Sequence, residues 1–358
     1  MQETPWPVWS NTLTPPAAGG RRREGGRRLS PLRPGVGADD TNQPLVSYIT
    51  VVRNAVKTLE RTLESVRAQQ WPAVEHIVVD GLSDDGTWEI VERHAASLDY
   101  CVSEPDAGLY DALNKAVPLA RGQLICVLNA DDWLTPEAAA VAARSYLQAG
   151  PARSRIVMTA AWVEHTNSHR SLWIPQRLDL GAWLTLANVC HNGVYATRGA
   201  YEDSGPYATN LRIAADTRWL MHCVDAGVEL QSIDEPTVHY VLGGLSSDTR
   251  RHTLECLQIM LERFDSLDES EAWCLLHAFH QYRPRLVPFH STRPAHLGNG
   301  VAAIARRHAA RADFMTALAL ASCAVLKHPD DMPTPQQPSR LRQVLHRLRM
   351  RLMMLRAL

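Results

Sequence analysis

Between residues 45 and 163, short runs of apolar and β-branched residues alternate with segments whose apolar positions recur at helical spacing. The first run, Leu45 to Val52 (LVSYITVV), has few polar interruptions and predicts a strand buried on both faces. Leu59, Leu63 and Val66 then fall at i, i+4 and i+7 and predict a helix with one buried stripe. Further strands are predicted at His76 to Asp80, Tyr100 to Ser103, Leu124 to Asn129 and Ile156 to Val163. Helices are predicted at Thr87 to Ala96, at Tyr110 to Leu119 and from Pro136, a residue suited to a first turn. Strands alternating with helices predict an α/β fold, a parallel sheet with helices on both faces.

In such sheets the ligand lies beyond the carboxyl ends of the strands. Polar residues gather there: Arg53-Asn54 after the first strand, Asp80 to Thr87 (DGLSDDGT) after the second, Glu104 to Gly108 (EPDAG) after the third and Asn129 to Asp132 (NADD) after the fourth. A sheet built for stability alone does not need acids at these ends.

Beyond about residue 165 the pattern loosens, with a helix expected near Ala214 to Ala226 and a strand at Pro236 to Leu242, ahead of Gly243-Gly244-Leu245-Ser246. Four parts are expected: a disordered basic extension over 1–43, rich in Pro, Gly and Arg; a principal domain over 44–250; a helical extension over 251–328; and, over 329–358, a Pro-rich linker with a closing helix. That last helix gathers Leu341, Val344, Leu345, Leu348, Leu352 and Leu355 on one face, with six arginines and no acids from Ser339 to Leu358. A basic amphipathic helix of this kind either lies on an anionic membrane surface or packs against protein.

Composition narrows the classes. Hydrophobic residues make up 45% and charged residues 21% of 358, ordinary for a folded globular chain. The formal charge of -1 gives no support to nucleic-acid binding by bulk electrostatics. It is a sum of unlike parts, because residues 1–44 carry 6 basic and 4 acidic groups, 331–358 carry 6 and 1, and 45–330 carry 25 and 33. Seven scattered cysteines form no CxxC and suit a reducing compartment. With no secretory leader visible, and Phe314 to Leu326 too short to cross a bilayer, a cytoplasmic or peripheral protein is expected.

Two adjacent acids after a buried strand, Asp131 and Asp132, suit a hard divalent cation such as Mg2+ or Mn2+, which takes a few carboxylates together with phosphates. The alternative is a helix cap formed by Asp132 or Thr135. Asp80 suits a nucleobase edge or ribose, although the glycines and serine of its loop also suit a tight turn. Neither GxGxxG nor GxxxxGK[ST] is present, which argues against a dehydrogenase or a P-loop NTPase.

Taken together, TVVRN (Thr50 to Asn54), VDGLSDDGT (Val79 to Thr87), SEPDAGLYDALNKA (Ser103 to Ala116) and LNADDW (Leu128 to Trp133) resemble the family 2 glycosyltransferases of GT-A fold, in the branch serving bacterial surface-polysaccharide and exopolysaccharide pathways. The likeness continues weakly through His191-Asn192-Gly193, Ile213 to Asp216 and Gly243 to Ser246.

The resemblance implies a nucleotide-sugar donor and a saccharide or lipid-linked acceptor. It implies that Thr50, Val52, Asn54 and Asp80 hold the nucleoside, and that Asp106, Gly108, Asn114 and Lys115 contact phosphate and sugar. Asn129, Ala130 and Asp131 fall in the motif for diphosphate and metal, with Asp131, seconded by Asp132, as the ligand. Asp216 matches the catalytic base, and a first-turn acid that complements its helix dipole is the alternative. His191 is an acceptor contact or a packed polar residue; His239 either reaches the metal or diphosphate or is structural. In the usual family loop a glycine and a threonine stand where this chain has Leu82 and Asp84. A nucleotidyltransferase is disfavoured because Arg53-Asn54-Ala55-Val56 is not a Gly-rich triphosphate loop. A catalytically silent nucleotide-binding or scaffold protein remains the alternative.

Overall fold

The structure, a computed structural model, describes residues 9–13, 21–29, 43–165, 169–175 and 189–248, together with scattered positions as far as 262. The chain divides into two compact units, one of residues 1–177 with 187–244 and one of 178–186 with 245–358. In the second, the described residues form a short 3-10 turn, Leu245–Ser247, and helical positions between 251 and 262. The expected helical extension beyond these, the Pro-rich linker and the basic helix of 339–358 lie outside the described residues.

The first unit is built on a sheet whose parallel centre consists of β2 (Val46–Val52), β3 (Val74–Asp80), β4 (Tyr100–Ser103) and β5 (Leu124–Val127). All seven residues of β2 are buried, as the run of apolar residues predicts. Around the centre lie β1 (Arg23–Gly25), β6 (Trp133–Leu134), β7 (Arg155–Glu164), β8 (Arg170–Trp173), β9 (Val194–Ala196) and β10 (Glu229–Val241). The order is β1-β4-β3-β2-β5-β9-β7-β10-β6, with β8 on β7. The expectation of a parallel sheet therefore holds for the centre and for the β7–β10 pair, while β1, β6, β8 and β9 run antiparallel to their neighbours. These four are short, between two and four residues, below the length at which period-2 alternation is readable.

Helices α1 (Leu59–Arg67), α2 (Thr87–His94) and α4 (Ala138–Gln148) cover one face, and α3 (Leu109–Ala116) packs against β2 and β3. The stripe Leu59, Leu63 and Val66 is buried as predicted, each side chain contributing about 1.5–3 kcal/mol of transfer free energy. Two further helices, α5 (Arg198–Ser204) and α6 (Ala215–Asp225), follow β9. Helix α4 begins at Ala138, and neither Asp132 nor Thr135 caps it through a side chain.

The basic amino-terminal segment departs from expectation. Residues 21–29, read as disordered, are ordered on the β4 edge: Arg23, Glu24 and Gly25 pair with Ser103, Val102 and Cys101. Charge explains the order. Arg28, its side chain 1% exposed, pairs with Glu75 at 4%. Arg27 reaches Asp99 at 2.6 Å and Arg22 reaches Glu104 at 3.2 Å. Part of the acid surplus of residues 45–330 is thus neutralised by the segment that precedes it.

Candidate functional site

The carboxyl ends of β2, β3, β4 and β5 lie along one edge of the sheet, and the strand order reverses direction between β2 and β5. Such a switch point opens a crevice, because the loops on either side leave in opposite directions. Val52 aligns with Asp80, and Asp80 with Ser103, so the three form one row at the crevice floor.

Asp80 is fully buried, and its carboxylate is held by hydroxyls: Ser83 donates to Oδ1 at 2.5 Å and Ser103 to Oδ2 at 2.6 Å. Ser83 also accepts from the Asn54 amide at 2.8 Å, and Asn54 Oδ1 accepts from the Asp84 amide at 3.1 Å. Two loops are thereby laced together, the Val52 carbonyl accepting from Gly81 at 2.9 Å. Asn54 and Leu82 both take left-handed backbone angles, φ 54° and 55°. Asparagine tolerates this conformation; leucine has no side-chain group to compensate. Thr50 turns its hydroxyl to His76 of β3. It is fully buried, with Oγ1 3.1 Å from His76 Nε2, and burial pushes that imidazole down to about 3, so it is neutral.

Asp106 leans over the second loop, so close that a side chain at Gly81 would displace its carboxylate. Asp106 Oδ1 accepts from the Gly108 amide at 2.8 Å, and Gly108, at φ 124° with open space around it, starts α3. Asn114 clasps the Tyr207 backbone, donating to its carbonyl at 2.8 Å and accepting its amide at 2.9 Å. Lys115 donates to the Pro105 carbonyl at 2.8 Å and pairs with Asp111 at 3.1 Å.

The two adjacent acids face different surroundings. Asp132 is buried, and its carboxylate accepts from the Val241 amide at 2.7 Å, from Asn192 Nδ2 at 2.6 Å and from Asn129 Nδ2 at 3.4 Å. Burial, then the neighbouring Asp131, pushes its carboxyl up to about 8. Asn192 is also buried and accepts the Asn129 amide at 3.0 Å, so a side chain 60 residues downstream braces the NADD turn. No spacing rule signals that bond. Asp131, by contrast, is half-buried, and among the described residues its carboxylate accepts no hydrogen bond from another residue and forms no ion pair. Desolvation raises its carboxyl, and Gly244 approaches so closely that an added Cβ would lie 3.2 Å from Oδ2. Ala130, beside it, is partly buried against α1 and α2.

Asp216 stands in the first turn of α6, partly exposed, with Oδ1 accepting from Thr217 N at 2.7 Å. The Tyr110 hydroxyl of α3 lies between Asp216 Oδ1, at 3.3 Å, and the Ile213 carbonyl, at 2.6 Å. His191 packs edge-on against Tyr207 and Trp219, its Nε2 3.1 Å from the Tyr207 hydroxyl. Burial lowers its basicity, opposed by the Asp216 charge. His239 is stacked flat on Trp133 with centroids 4.7 Å apart, its Nδ1 2.7 Å from Glu164 Oε1. Asn192, Ser103 and Tyr110 are site-building side chains to which the motifs assign no role, and Ser83, read as a turn residue, also holds Asp80.

Comparison with known proteins matches residues 47–192 to the family model described as glycosyl transferase family 2. A PGL/p-HBAD biosynthesis glycosyltransferase of Mycobacterium bovis is 31% identical over 183 residues, 50% of this chain and 70% of that one. An uncharacterized glycosyltransferase of Mycobacterium tuberculosis is 39% identical over 113 residues, 31% of this chain; the match spans 43% of that relative's length. Among solved structures, S. aureus TarS 1-349 in complex with UDP-GlcNAc superposes with a TM-score of 0.51 at 16% identity, covering 79% of this chain and 90% of that one. A second S. aureus TarS structure gives 0.50 at 17% identity, covering 79% of this chain and 53% of that one. At these identities the likeness shows the fold, which is GT-A.

Proposed function

The chain belongs to glycosyltransferase family 2, and on that premise we propose that it transfers a sugar from a nucleotide-diphosphate sugar to a hydroxyl of a saccharide or lipid-linked acceptor, inverting the anomeric centre. One observation carries this reading: Asp80, Asp106 and Asp131 stand at the carboxyl ends of β3, β4 and β5, around the switch point where such sheets take their ligands.

The nucleoside is held at the loops of Asn54 and Asp80, with Asp80 acting through the serines that orient it and Val52 through its carbonyl. Asp106 and the amide-bearing turn at Gly108 face the donor's sugar and phosphate. Lys115 and Asn114 support this segment from behind, as their bonds to Pro105 and Tyr207 indicate, and Thr50 supports the sheet.

Asp131 fits a divalent cation, Mg2+ or Mn2+, as a desolvated carboxylate without a partner residue. Asp132, its lone pairs engaged by three donors, serves to fix the turn. A bound cation supplies Lewis-acid stabilisation of the departing nucleoside diphosphate. In the transfer, the acceptor oxygen bonds to the anomeric carbon as the bond from that carbon to the phosphate oxygen breaks, and Asp216 takes the hydroxyl proton, a step contributing about 100- to 10,000-fold. His191, its basicity lowered by burial among aromatic rings, lies on the acceptor side near Asp216.

The motifs and a relative named for PGL/p-HBAD biosynthesis support a place in bacterial surface-polysaccharide or glycolipid biosynthesis. No helix among the described residues is long and apolar enough to cross a membrane. The deciding experiment is a screen of nucleotide sugars with Mn2+, scoring nucleoside diphosphate release and product linkage, for the wild type, Asp131→Ala and Asp216→Asn. Full activity in both variants defeats the assignment. Metal-dependent nucleotide affinity without turnover on any donor identifies a silent nucleotide-binding protein instead.

A further inference from the structure

Four side chains from four elements form a column beside Asp131. Glu164, at the end of β7, holds His239 of β10 at 2.7 Å, and the imidazole lies flat on the indole of Trp133 in β6, 6° from parallel. The guanidinium of Arg61, from α1, lies over the other part of the column, its carbon 3.5 Å from the Trp133 ring centroid. One of its nitrogens, Nη2, reaches the Asp131 carbonyl oxygen at 3.4 Å.

This is an unusual amount of support for an exposed arginine. Ordering a long side chain at the surface costs rotamer entropy, and here two stacked rings and an acid oppose that loss. A guanidinium stacked on an indole keeps its N–H groups directed outward in the ring plane, where they suit the paired oxygens of a phosphate. Among the described residues no carboxylate pairs with Arg61. The result is an oriented, unpaired cation next to the carboxylate assigned to the metal.

We propose that Arg61 binds the diphosphate of the donor, with Trp133 and His239 as the positioning residues that aim it. The inference rests on the transferase reading above and adds to it a fixed positive charge, supplied by the chain, at the leaving-group end. A phosphate contact of this kind strengthens binding of anything that carries the diphosphate and leaves the bare nucleoside unaffected.

Calorimetric titration of the full chain with UDP and with GDP, each with Mn2+, tests it, with uridine and guanosine as uncharged controls. For the diphosphate that the wild type binds, Arg61→Ala loses about 10- to 100-fold in affinity, the range for a charged hydrogen-bonded contact, and its nucleoside affinity is unchanged. Arg61→Lys recovers part of the loss, since it keeps the charge without the fork. Trp133→Leu, with a melting temperature close to wild type, weakens the diphosphate by a smaller factor. Wild-type affinity in Arg61→Ala overturns the proposal. So does an equal loss for nucleoside and diphosphate, which signals damage to the fold, or a change confined to Mn2+ affinity without nucleotide, which signals action on Asp131 alone. A wild type that binds neither is titrated with ADP, CDP and dTDP in turn, and binding of none of the five removes the transferase reading and this inference with it.

Discussion

The Tyr110 hydroxyl stands 3.3 Å from Oδ1 of Asp216, linking the helix that follows the donor segment to the acid at the start of α6. A hydroxyl carries one proton, and here it is shared between that carboxylate and the Ile213 carbonyl at 2.6 Å. Phenylalanine at this position removes the hydroxyl that orients the acid. Tyr110→Phe is therefore expected to slow transfer about tenfold, the low end for a hydrogen bond to a charged group. A urea midpoint close to wild type separates this loss from general loosening of the helix.

Asn192 serves two buried partners at once, the Asn129 amide and the Asp132 carboxylate. Asn192→Ala strands both and is expected to cost about 2–4 kcal/mol, read from urea unfolding. An unchanged midpoint contradicts the bracing role.

Leu82 occupies a left-handed conformation where the family loop has glycine. That conformation costs a non-glycine residue about 1–2 kcal/mol, against about 0.5–1 kcal/mol of added chain entropy when glycine replaces it. Leu82→Gly should leave stability equal or up to about 1 kcal/mol higher. A clear loss shows that the Leu82 side chain makes a contact worth more than the strain.

His76 has a folded-state pKa of about 3, below its ordinary 6.5, because burial disfavours the charged ring. The unfolded chain then binds the extra proton between those values, so the histidine's contribution is complete above pH 6.5 and is lost as pH falls toward 3. The slope is about 1.4 kcal/mol per pH unit at most, roughly 2 kcal/mol lost by pH 5. Urea midpoints at pH 7 and 5 measure it, and His76→Gln should flatten the difference.

Arg28 and Glu75 form a buried pair, and Glu75 also accepts from Ser47 Oγ at 2.5 Å and from the Arg121 amide at 2.9 Å. Removing one member of such a pair costs about 3–5 kcal/mol because the other charge remains buried. Arg28→Ala should show this loss, and Arg28→Met combined with Glu75→Gln should recover much of it.

The central strands and their acid-bearing loops were legible in the sequence because β2 and β3 are long, apolar and flanked by turn residues. The bonds that decide each acid's role were not. Asp131 and Asp132 are adjacent and identical in type, yet one meets Asn192 and Val241 while the other is left half-exposed, a difference set by chain segments 60 to 110 residues away. The same distance effect hid the use of Asn114 on Tyr207. Residues 21–29 depart from expectation for a related reason: in isolation five arginines and two glycines read as solvated chain, and the buried Glu75, Asp99 and Glu104, distant in sequence, pair with three of those arginines.

That segment has a consequence for how the protein is handled. Pairing of β1 with β4 occupies backbone groups that otherwise face solvent along a sheet margin, and an open margin is a template on which a second molecule adds its own strand. A chain shortened to begin at residue 44, the boundary that composition suggests, would expose Val102 and Cys101 on that margin and strand Glu75 beneath it. Such a chain should self-associate, and the full one should not, which light scattering across a concentration series distinguishes.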